Sequence, residues 1–325
     1  MHFSKSETYA TIKHFSTLKT EGARSEYDLG PDASDWKVSW AQEDIRTTGA
    51  TEDRLIQIAY QPFDSRWTYY TGKPSGFHVR PRRPVSDAML KKNLAIISNR
   101  SQEIPGEWSN VLVVSQPATH HIVSNKEVNT VFPLYAEGVG SKENYSADIR
   151  AFIDARYEHQ YAPEEILGYI YAILYAPTYR TLYKEFLRID FPRIPFPESS
   201  DDFERLSKLG WALVQAHLLR DLPRHGLATY HGKGDHVIEG VRYSPKEQAV
   251  SINDSQFFKP VPQAVWDFHI GGYQVLDKYL KSRKGRSLSL DEINHVGAIA
   301  DSLAFTIEQM AKIDEAYKKA FPDRG

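Results

Sequence analysis

The residues in this chain best equipped to engage a ligand are cations, and they are unevenly spread. Between Arg66 and Arg100 stand Arg66, Lys73, Arg80, Arg82, Arg83, Lys91, Lys92 and Arg100 against one acid, Asp87, in a chain whose net charge is −2. Trp67, Tyr69, Tyr70 and Phe77 are interleaved with them. A local field of this sign attracts polyanions. The alternative is a solvated basic loop, and either way acids elsewhere must offset the charge. A second cluster, Lys278, Lys281, Arg283, Lys284 and Arg286, follows a helical pattern. There it meets an anion or satisfies the negative end of the helix dipole. Ser124, Asn125 and Lys126, preceded by His120 and His121, form a third candidate on a loop between strand-like runs. The alternative is a turn held by Asn125.

Other chemistries find little support. The chain has no Cys, which removes disulfides and thiolate metal sites and fits a reducing, cytoplasmic setting. Thr71-Gly72-Lys73 lacks the upstream glycine and following Ser/Thr of a phosphate-binding loop. There is no G-x-G-x-x-G, no G-x-S-x-G, and no Asn/Asp-Pro-Pro-Tyr/Phe of an amino-methyltransferase. The closest-spaced histidines are His120-His121 and the pair His231 and His236, without an H-E-x-x-H spacing, so no metal site is expected. Pro31-Asp32 with Asp35-Trp36-Lys37 has the residue types of a metal-dependent nuclease. All five lie in one turn-like stretch, which reads as the start of a helix. His231-Gly232-Lys233-Gly234-Asp235-His236 holds side chains capable of hydrolysis, on what its glycines suggest is a mobile loop. Nothing resembles a signal peptide, and no apolar run approaches the roughly 20 residues that span a bilayer, so a soluble protein without membrane contact is expected.

These residues need a frame, and the pattern predicts an α+β fold. Residues 1–54 read as a polar lead-in with weak helical signals. LIQIAY, WTYY, LAIIS, NVLVVS, HHIVSN and TVFPLY are short β-branched or aromatic runs between turns, giving a β-rich core over 55–140. Residues 141–325 read as helical. Ser146 caps one helix, Pro163 opens a second, and Pro177 breaks it before TYRTLYKEFLRI. DDFERLSKLGWALVQAHLLRD is a further helix, and 225–260 is a turn-rich β insertion with VIEGVRYS and AVSIN as a hairpin. AVWDFHIGGYQVLDKYLKSR reads as a helix carrying a costly Gly-Gly pair. Ser289 with Glu292 forms a capping-box pattern before a long helix with a stripe of Ile293, Val296, Ile299, Ala300, Leu303, Ile307 and Met310.

Several segments, in order, carry a resemblance: YQPFDSRWTYY (60–70), SNKEVNTVFPLY (124–135), YIYAILYAPTYRTLYKEFLRIDFPRIPFP (169–197), WDFHIGGYQVLDKYLKSRKGRSLS (266–289) and the helix ending in Met310-Ala311-Lys312-Ile313-Asp314. Together they resemble the target-recognition region of type ISP restriction–modification enzymes, related to type IIG enzymes, over roughly residues 35–315. The resemblance implies sequence-specific binding of double-stranded DNA. It also implies a partner, the adenine-specific methyltransferase domain of the same or a companion polypeptide. No catalysis and no cofactor are expected of this chain itself. S-adenosylmethionine, ATP and Mg would serve other domains of a several-fold longer polypeptide.

A recognition domain must grip phosphates and read base edges. The expected DNA-contacting set is Arg66, Lys73, Arg80, Arg82, Arg83, Asn125, Lys126, Lys281, Arg283, Lys284 and Arg286. Arg pairs with guanine and Asn with adenine in the major groove. Pro81 and Pro84 restrict the backbone around Arg82 and Arg83. Arg66 has a competing role, an ion pair with Asp64. Residues shared by enzymes with different targets cannot encode the target, so Arg66, Lys126 and Gly271-Gly272 fit architecture or backbone gripping, and base readers are expected in 98–122 or 224–260. Two other readings stay open: a hydrolase built on the His231–His236 loop, and an assembly scaffold whose basic segment only faces solvent.

Overall fold

The computed structural model describes residues 1–103 and 105–322. Ile104, within the 98–122 stretch, and residues 323–325, at the end of the 141–325 region, lie outside the described residues. The architecture is α+β, with helices and small antiparallel sheets.

Residues 1–54 hold more structure than their polar composition suggests. Helices α1 (Lys5–Thr17), α2 (Thr20–Glu26) and α3 (Val38–Thr48) enclose a small core of Ile12, Phe15, Ala23, Val38, Ala41 and Ile45. Leu55 and Tyr69 of the following hairpin close it. The helical signal is weak because each helix buries few apolar positions. Ser4 and Glu7 form a capping box on α1. Asp32 accepts from the Val38 N–H at 3.2 Å and from Arg24 at 2.8 Å, so the Pro31–Lys37 stretch starts a helix.

Strands β1 (Leu55–Gln61) and β2 (Asp64–Tyr69) pair as an antiparallel hairpin with an irregularity between Ala59 and Gln61. After α4 (Arg83–Leu90) come β3 (Ala95–Asn99), β4 (Val111–Val114) and β5 (Asn129–Pro133), an antiparallel sheet in the order β4-β3-β5. One expected strand is absent: HHIVSN forms turns and bends. Its apolar pair, Ile122 and Val123, is buried because it plugs the core rather than because it joins a sheet.

The helical part follows as α5 (Ala147–Tyr157), α6 (Pro163–Tyr175), α7 (Pro177–Leu182), α8 (Lys184–Leu187) and α9 (Ser200–His217). The insertion is a four-stranded sheet, order β6-β9-β8-β7, of β6 (Thr229–His231), β7 (Arg242–Ser244), β8 (Ala249–Ser251) and β9 (Phe257–Lys259). The predicted single helix over AVWDFHIGGYQVLDKYLKSR is instead α10 (Gln263–Trp266), a tiny hairpin of β10 (His269–Ile270) and β11 (Tyr273–Gln274), and α11 (Val275–Lys281). Gly271 explains the break. Its φ is +56°, and a Cβ there would stand 1.7 Å from the Val123 carbonyl oxygen. The pair exists for close approach, not for a helix. Helix α12 (Leu290–Ala320) begins with the Ser289–Glu292 capping box.

The β4-β3-β5 sheet is covered on both sides. Val111 and Val113 of β4 join the helical core of α6 and α9, while Leu112 and Val114 join Ala95, Ile97 and the α11–α12 core. Period-two alternation thus divides one strand between two cores. Helix α12 touches both cores, through Ile293–Leu303 and then Ile313–Tyr317.

A polar relay crosses this junction. His217 of α9 contacts Tyr171 Oη of α6 at 2.6 Å through Nδ1 and Thr306 Oγ1 of α12 at 2.9 Å through Nε2. Thr306 donates to the Ser302 carbonyl, so it accepts from His217 Nε2–H, and Nδ1 accepts from Tyr171. Burial first, and the Arg180 charge second, push the His217 pKa down to about 3. An unfolded His protonates near about pH 6.5. The stabilisation is therefore complete above that pH and is lost progressively as pH falls from there towards the folded value. Moving from about pH 7 to about pH 5 should remove about 2 kcal/mol through this group. Urea unfolding at the two pH values measures the loss, and His217→Gln, which does not titrate, should show a loss smaller by that amount.

Candidate nucleic-acid interface

Two of the expected DNA-contacting arginines do not face solvent. Asp64, at the start of β2, is buried and receives both. Arg66 Nη2 reaches Asp64 Oδ2 at 2.6 Å, and Arg283 Nη2 reaches Asp64 Oδ1 at 2.8 Å. Arg66 is 6% exposed and Arg283 4%. Arg283 Nε continues to Glu292 Oε1 at 2.9 Å, which also takes Arg286 Nη1 at 3.3 Å. The Phe3 ring lies 3.4 Å from the Arg66 guanidinium carbon and 3.5 Å from that of Arg286, distances that require opposite faces of the ring. Tyr279 stacks under Arg283 at 3.6 Å. Burial draws the Glu292 carboxyl upward, but the Ser289 N–H and the two arginines hold it below the usual carboxylate range.

This knot corrects the sequence reading: Arg66 and Arg283 are structural, and Arg286 is largely so. They join the β1–β2 hairpin to the end of α11 and the start of α12. Lys281 is exposed but paired with Asp277 at 2.8 Å, and Lys284 is exposed.

The Arg66–Arg100 excess is partly compensated by Asp35, Glu137 and Asp190 from outside the segment, beside its own Asp87. Arg80 pairs with Asp35 at 2.7 Å, Arg83 with Asp87 at 3.1 Å, Lys91 with Glu137 at 3.8 Å and Arg100 with Asp190 at 3.1 Å. These pairs are all substantially exposed, so a phosphate can compete for the cation. Lys73 and Arg82 are exposed and carry no ion pair among the described residues. Arg82 has φ +51° at the N-cap of α4, a left-handed turn that ends the Pro-punctuated stretch.

Beside this segment opens a cleft of about 730 Å³. Its lining comes mainly from the β1–β2 hairpin and the residue after it, through Ile56, Ile58, Tyr60, Thr68 and Tyr70, from the basic stretch through His78, Arg80 and Arg82, and from the loop before β5 through His120, His121, Asn125 and Val128, with Met1 and Tyr273 added. None of the 25 lining residues is Asp or Glu, in a chain that has 42 of them. A second opening of about 400 Å³ shares Met1, Tyr60 and Gln61 with it and adds the edge of Arg66 with Lys278 and Ser282. Of the cluster Lys278, Lys281, Arg283, Lys284 and Arg286, Lys278 lines this second opening, and none of the five lines the larger cleft. Burial lowers the pKa of His78, and burial and His121 lower that of His120. At neutral pH these rings offer hydrogen bonds while the arginines supply the charge.

The structure therefore brings Arg80, Arg82 and Asn125 to one cleft, with Lys126 exposed next to Asn125. Lys73, Arg83 and Lys284 lie outside its lining. Of the two stretches expected to read bases, 98–122 contributes Pro117–His121, and 224–260 contributes nothing to the lining. Val128 and Thr130 were missed, whereas Tyr70 is among the aromatics interleaved with the cations. The sole sequence signal for Val128 and Thr130 was their place just before and in the alternating run TVFPLY. The turn at 124–127 is held by Ser124, whose Oγ accepts from the Lys126 N–H at 3.1 Å, and not by Asn125. The His231–His236 loop is pinned: His231 stacks on Phe257, His236 Nδ1 contacts Tyr230 Oη at 3.0 Å, and a Cβ on Gly232 would stand 2.0 Å from the Ser255 carbonyl. No cluster of metal-ligating side chains occurs among the described residues.

Replacing Asp64 by Asn should leave two buried guanidinium groups facing a neutral amide, at a cost of about 3–5 kcal/mol. Guanidinium unfolding of the Asp64→Asn chain measures it. A loss below about 1 kcal/mol would show that the knot contributes no more than a surface pair.

Solved structures that share this fold include the following three. One is a cryo-EM structure of a DrdV–DNA complex, at 16% identity and TM-score 0.68, covering 97% of this chain and 34% of that one. Another is a nuclease-deletion mutant of the Type ISP restriction-modification enzyme LlaGI with a DNA substrate mimic, at 16% identity and TM-score 0.67, covering 97% and 31%. The third is the ATP-dependent Type ISP restriction-modification enzyme LlaBIII bound to DNA, at 14% identity and TM-score 0.68, covering 96% and 21%. This chain thus spans a third or less of the length of those proteins, apart from a marginally larger share of the first. No curated protein matches the sequence. The profile of the Type ISP C-terminal specificity domain matches residues 1–312, and with nearly all of its length inside that match the chain belongs to the Type ISP C-terminal specificity domain family.

Proposed function

We propose that the chain recognises a duplex DNA site through the acid-free cleft, as the target-recognition part of a restriction–modification enzyme. The observation that carries this reading is the cleft itself. Arg80 and Arg82, the hydrogen-bonding His78, His120 and Asn125, and no carboxylate line one concavity, in a chain that is acidic overall. A phosphate backbone would meet repulsion almost anywhere else that carboxylates are exposed, and attraction here. Family membership and the DNA bound to the three relatives of like fold support the same conclusion.

In this reading the chemistry is housed elsewhere. The methyltransferase domain of the same or a companion polypeptide modifies adenine at the chosen site, and a translocating nuclease cleaves. S-adenosylmethionine, ATP and Mg belong to those parts, and this chain takes none of them. The setting is the cytoplasm. No helix among the described residues is long and apolar enough to cross a membrane.

Binding to a duplex should weaken steeply between about 50 and 200 mM salt, with a log–log slope of about 0.9 per phosphate neutralised. Arg80→Gln with Arg82→Gln should reduce that slope by about two and lower affinity for all sequences alike. Fluorescence anisotropy across a salt series reads both. Affinity that ignores salt, or a double variant that binds as well as the parent, would favour a scaffold whose basic segment only faces solvent.

A further inference from the structure

Resting on that reading, the geometry points to Asn125 and Val128 as the side chains that read the bases, with an adenine–thymine step as what they read. The argument starts from the loop that carries them, residues 117–128. Nearly all of its polar groups are used internally. The Ala59 N–H donates to the Pro117 carbonyl at 2.8 Å, and the Thr119 N–H donates back to Ala59 at 2.9 Å, which lays the loop along β1. Asn129 accepts from the Ile122 N–H at 2.7 Å and donates to the Thr119 carbonyl at 3.1 Å. Asn99 donates to the Glu127 carbonyl at 3.0 Å. Ser124 and Glu127 close the turn by a side-chain hydrogen bond. From below, the Gly272 N–H donates to the Val123 carbonyl at 2.9 Å, where Gly271 leaves room for no Cβ. Tyr273 donates to the His121 carbonyl at 3.2 Å.

Asn125 and Val128 take no part in holding this braced loop, and neither does the side chain of Lys126 between them, which lies outside the cleft lining. Asn125 is exposed and hydrogen-bonds to nothing among the described residues, although it sits in a turn that its neighbours hold without it. Val128 is 61% exposed, an apolar side chain that the core does not take. Both line the cleft. A carboxamide accepts from adenine N6–H and donates to N7, and a small apolar group packs on the thymine C5 methyl. Rigid presentation lets neither contact cost much loop ordering. Arg80 and Arg82, on a different piece of chain, are left to grip phosphate.

The test uses the full chain and a randomised duplex pool. The parent should enrich A·T-containing sequences, and Asn125→Ala and Val128→Ala should each lose preference at one position, by about fivefold to a hundredfold. Their salt slope should stay as in the parent, because phosphate contacts are untouched. Replacing thymine by uracil in the selected duplex removes only the C5 methyl. It should weaken the parent as much as Val128→Ala does and leave the Val128→Ala chain indifferent. Replacing adenine by 7-deazaadenine should act in the same way against Asn125→Ala. If the parent binds the pool but enriches nothing, or the variants enrich what the parent does, this assignment is overturned while duplex binding stands. If the parent binds no duplex at all, the proposed function falls as well.

Discussion

The buried carboxylate of Asp64 is the constraint on which the rest of the molecule is arranged. An unpaired charge at that depth is prohibitively costly. Two arginines from chain segments more than two hundred residues apart must therefore converge on it, and Arg66 and Arg283 do so at 2.6 and 2.8 Å. Because the geometry of a guanidinium fork is rigid, convergence also fixes direction. The β1–β2 hairpin can take only one orientation against the α11–α12 corner. His295 repeats the tie, with Nε2 2.7 Å from the Phe63 carbonyl in the hairpin turn. The same hairpin lines the cleft through Tyr60 and Tyr70, so a charge buried well inside the fold sets the shape of a surface.

Charge in this protein consequently does two separate jobs. Where arginine meets acid out of water, as at Asp64 and Glu292, the pair is an orienting device whose contribution lies in what breaks when one partner goes. Where arginine meets acid at the surface, as Arg80 meets Asp35, the pair is weak and exchangeable. An exchangeable pair suits a DNA-binding site: it keeps the free protein from presenting naked charge and yields when phosphate arrives. The cleft lining itself carries no acid, and Asp35, which pairs with its Arg80, stands outside that lining where phosphate can displace it.

Much of the frame was legible. Ser146, Pro163, Pro177 and the Ser289–Glu292 box each mark a helix boundary, because caps and prolines act within one turn and need no knowledge of the fold. The errors are tertiary in origin. HHIVSN has the composition of a strand, yet Ile122 and Val123 are buried by a distant hairpin. AVWDFHIGGYQVLDKYLKSR has helical periodicity, yet Gly271 must lie against Val123, and that contact is invisible at a separation of about 150 residues. At the cleft, Arg80, Arg82 and Asn125 were legible as polar residues on loops. Arg66 and Arg283 could not be told from them, because residue type does not report burial. The alternative noted for Arg66, an ion pair with Asp64 two residues away, is the arrangement found, and it escaped notice only in its extension to Arg283.

Most side chains in the segments that announce the family hold the fold, and in SNKEVN the holders are interleaved with Asn125 and Val128, which are left free at the cleft, for a physical reason. PFDSRW holds the knot, HIGGYQ holds the approach to Val123, and SNKEVN contributes Ser124, Lys126 N–H and Glu127 to a closed turn. Apart from Lys126, whose backbone N–H survives substitution, these residues satisfy other protein groups through their side chains or their close approach, so replacing them costs folding free energy. Asn125 and Val128 satisfy none, so replacing them costs the fold little. A scaffold built this way can change what it reads without changing how it stands, provided that the loop's backbone is fixed by residues other than those it displays. The division of labour within residues 124–128, where Ser124 and Glu127 hold the turn and Asn125 and Val128 point out of it, meets that condition within five residues.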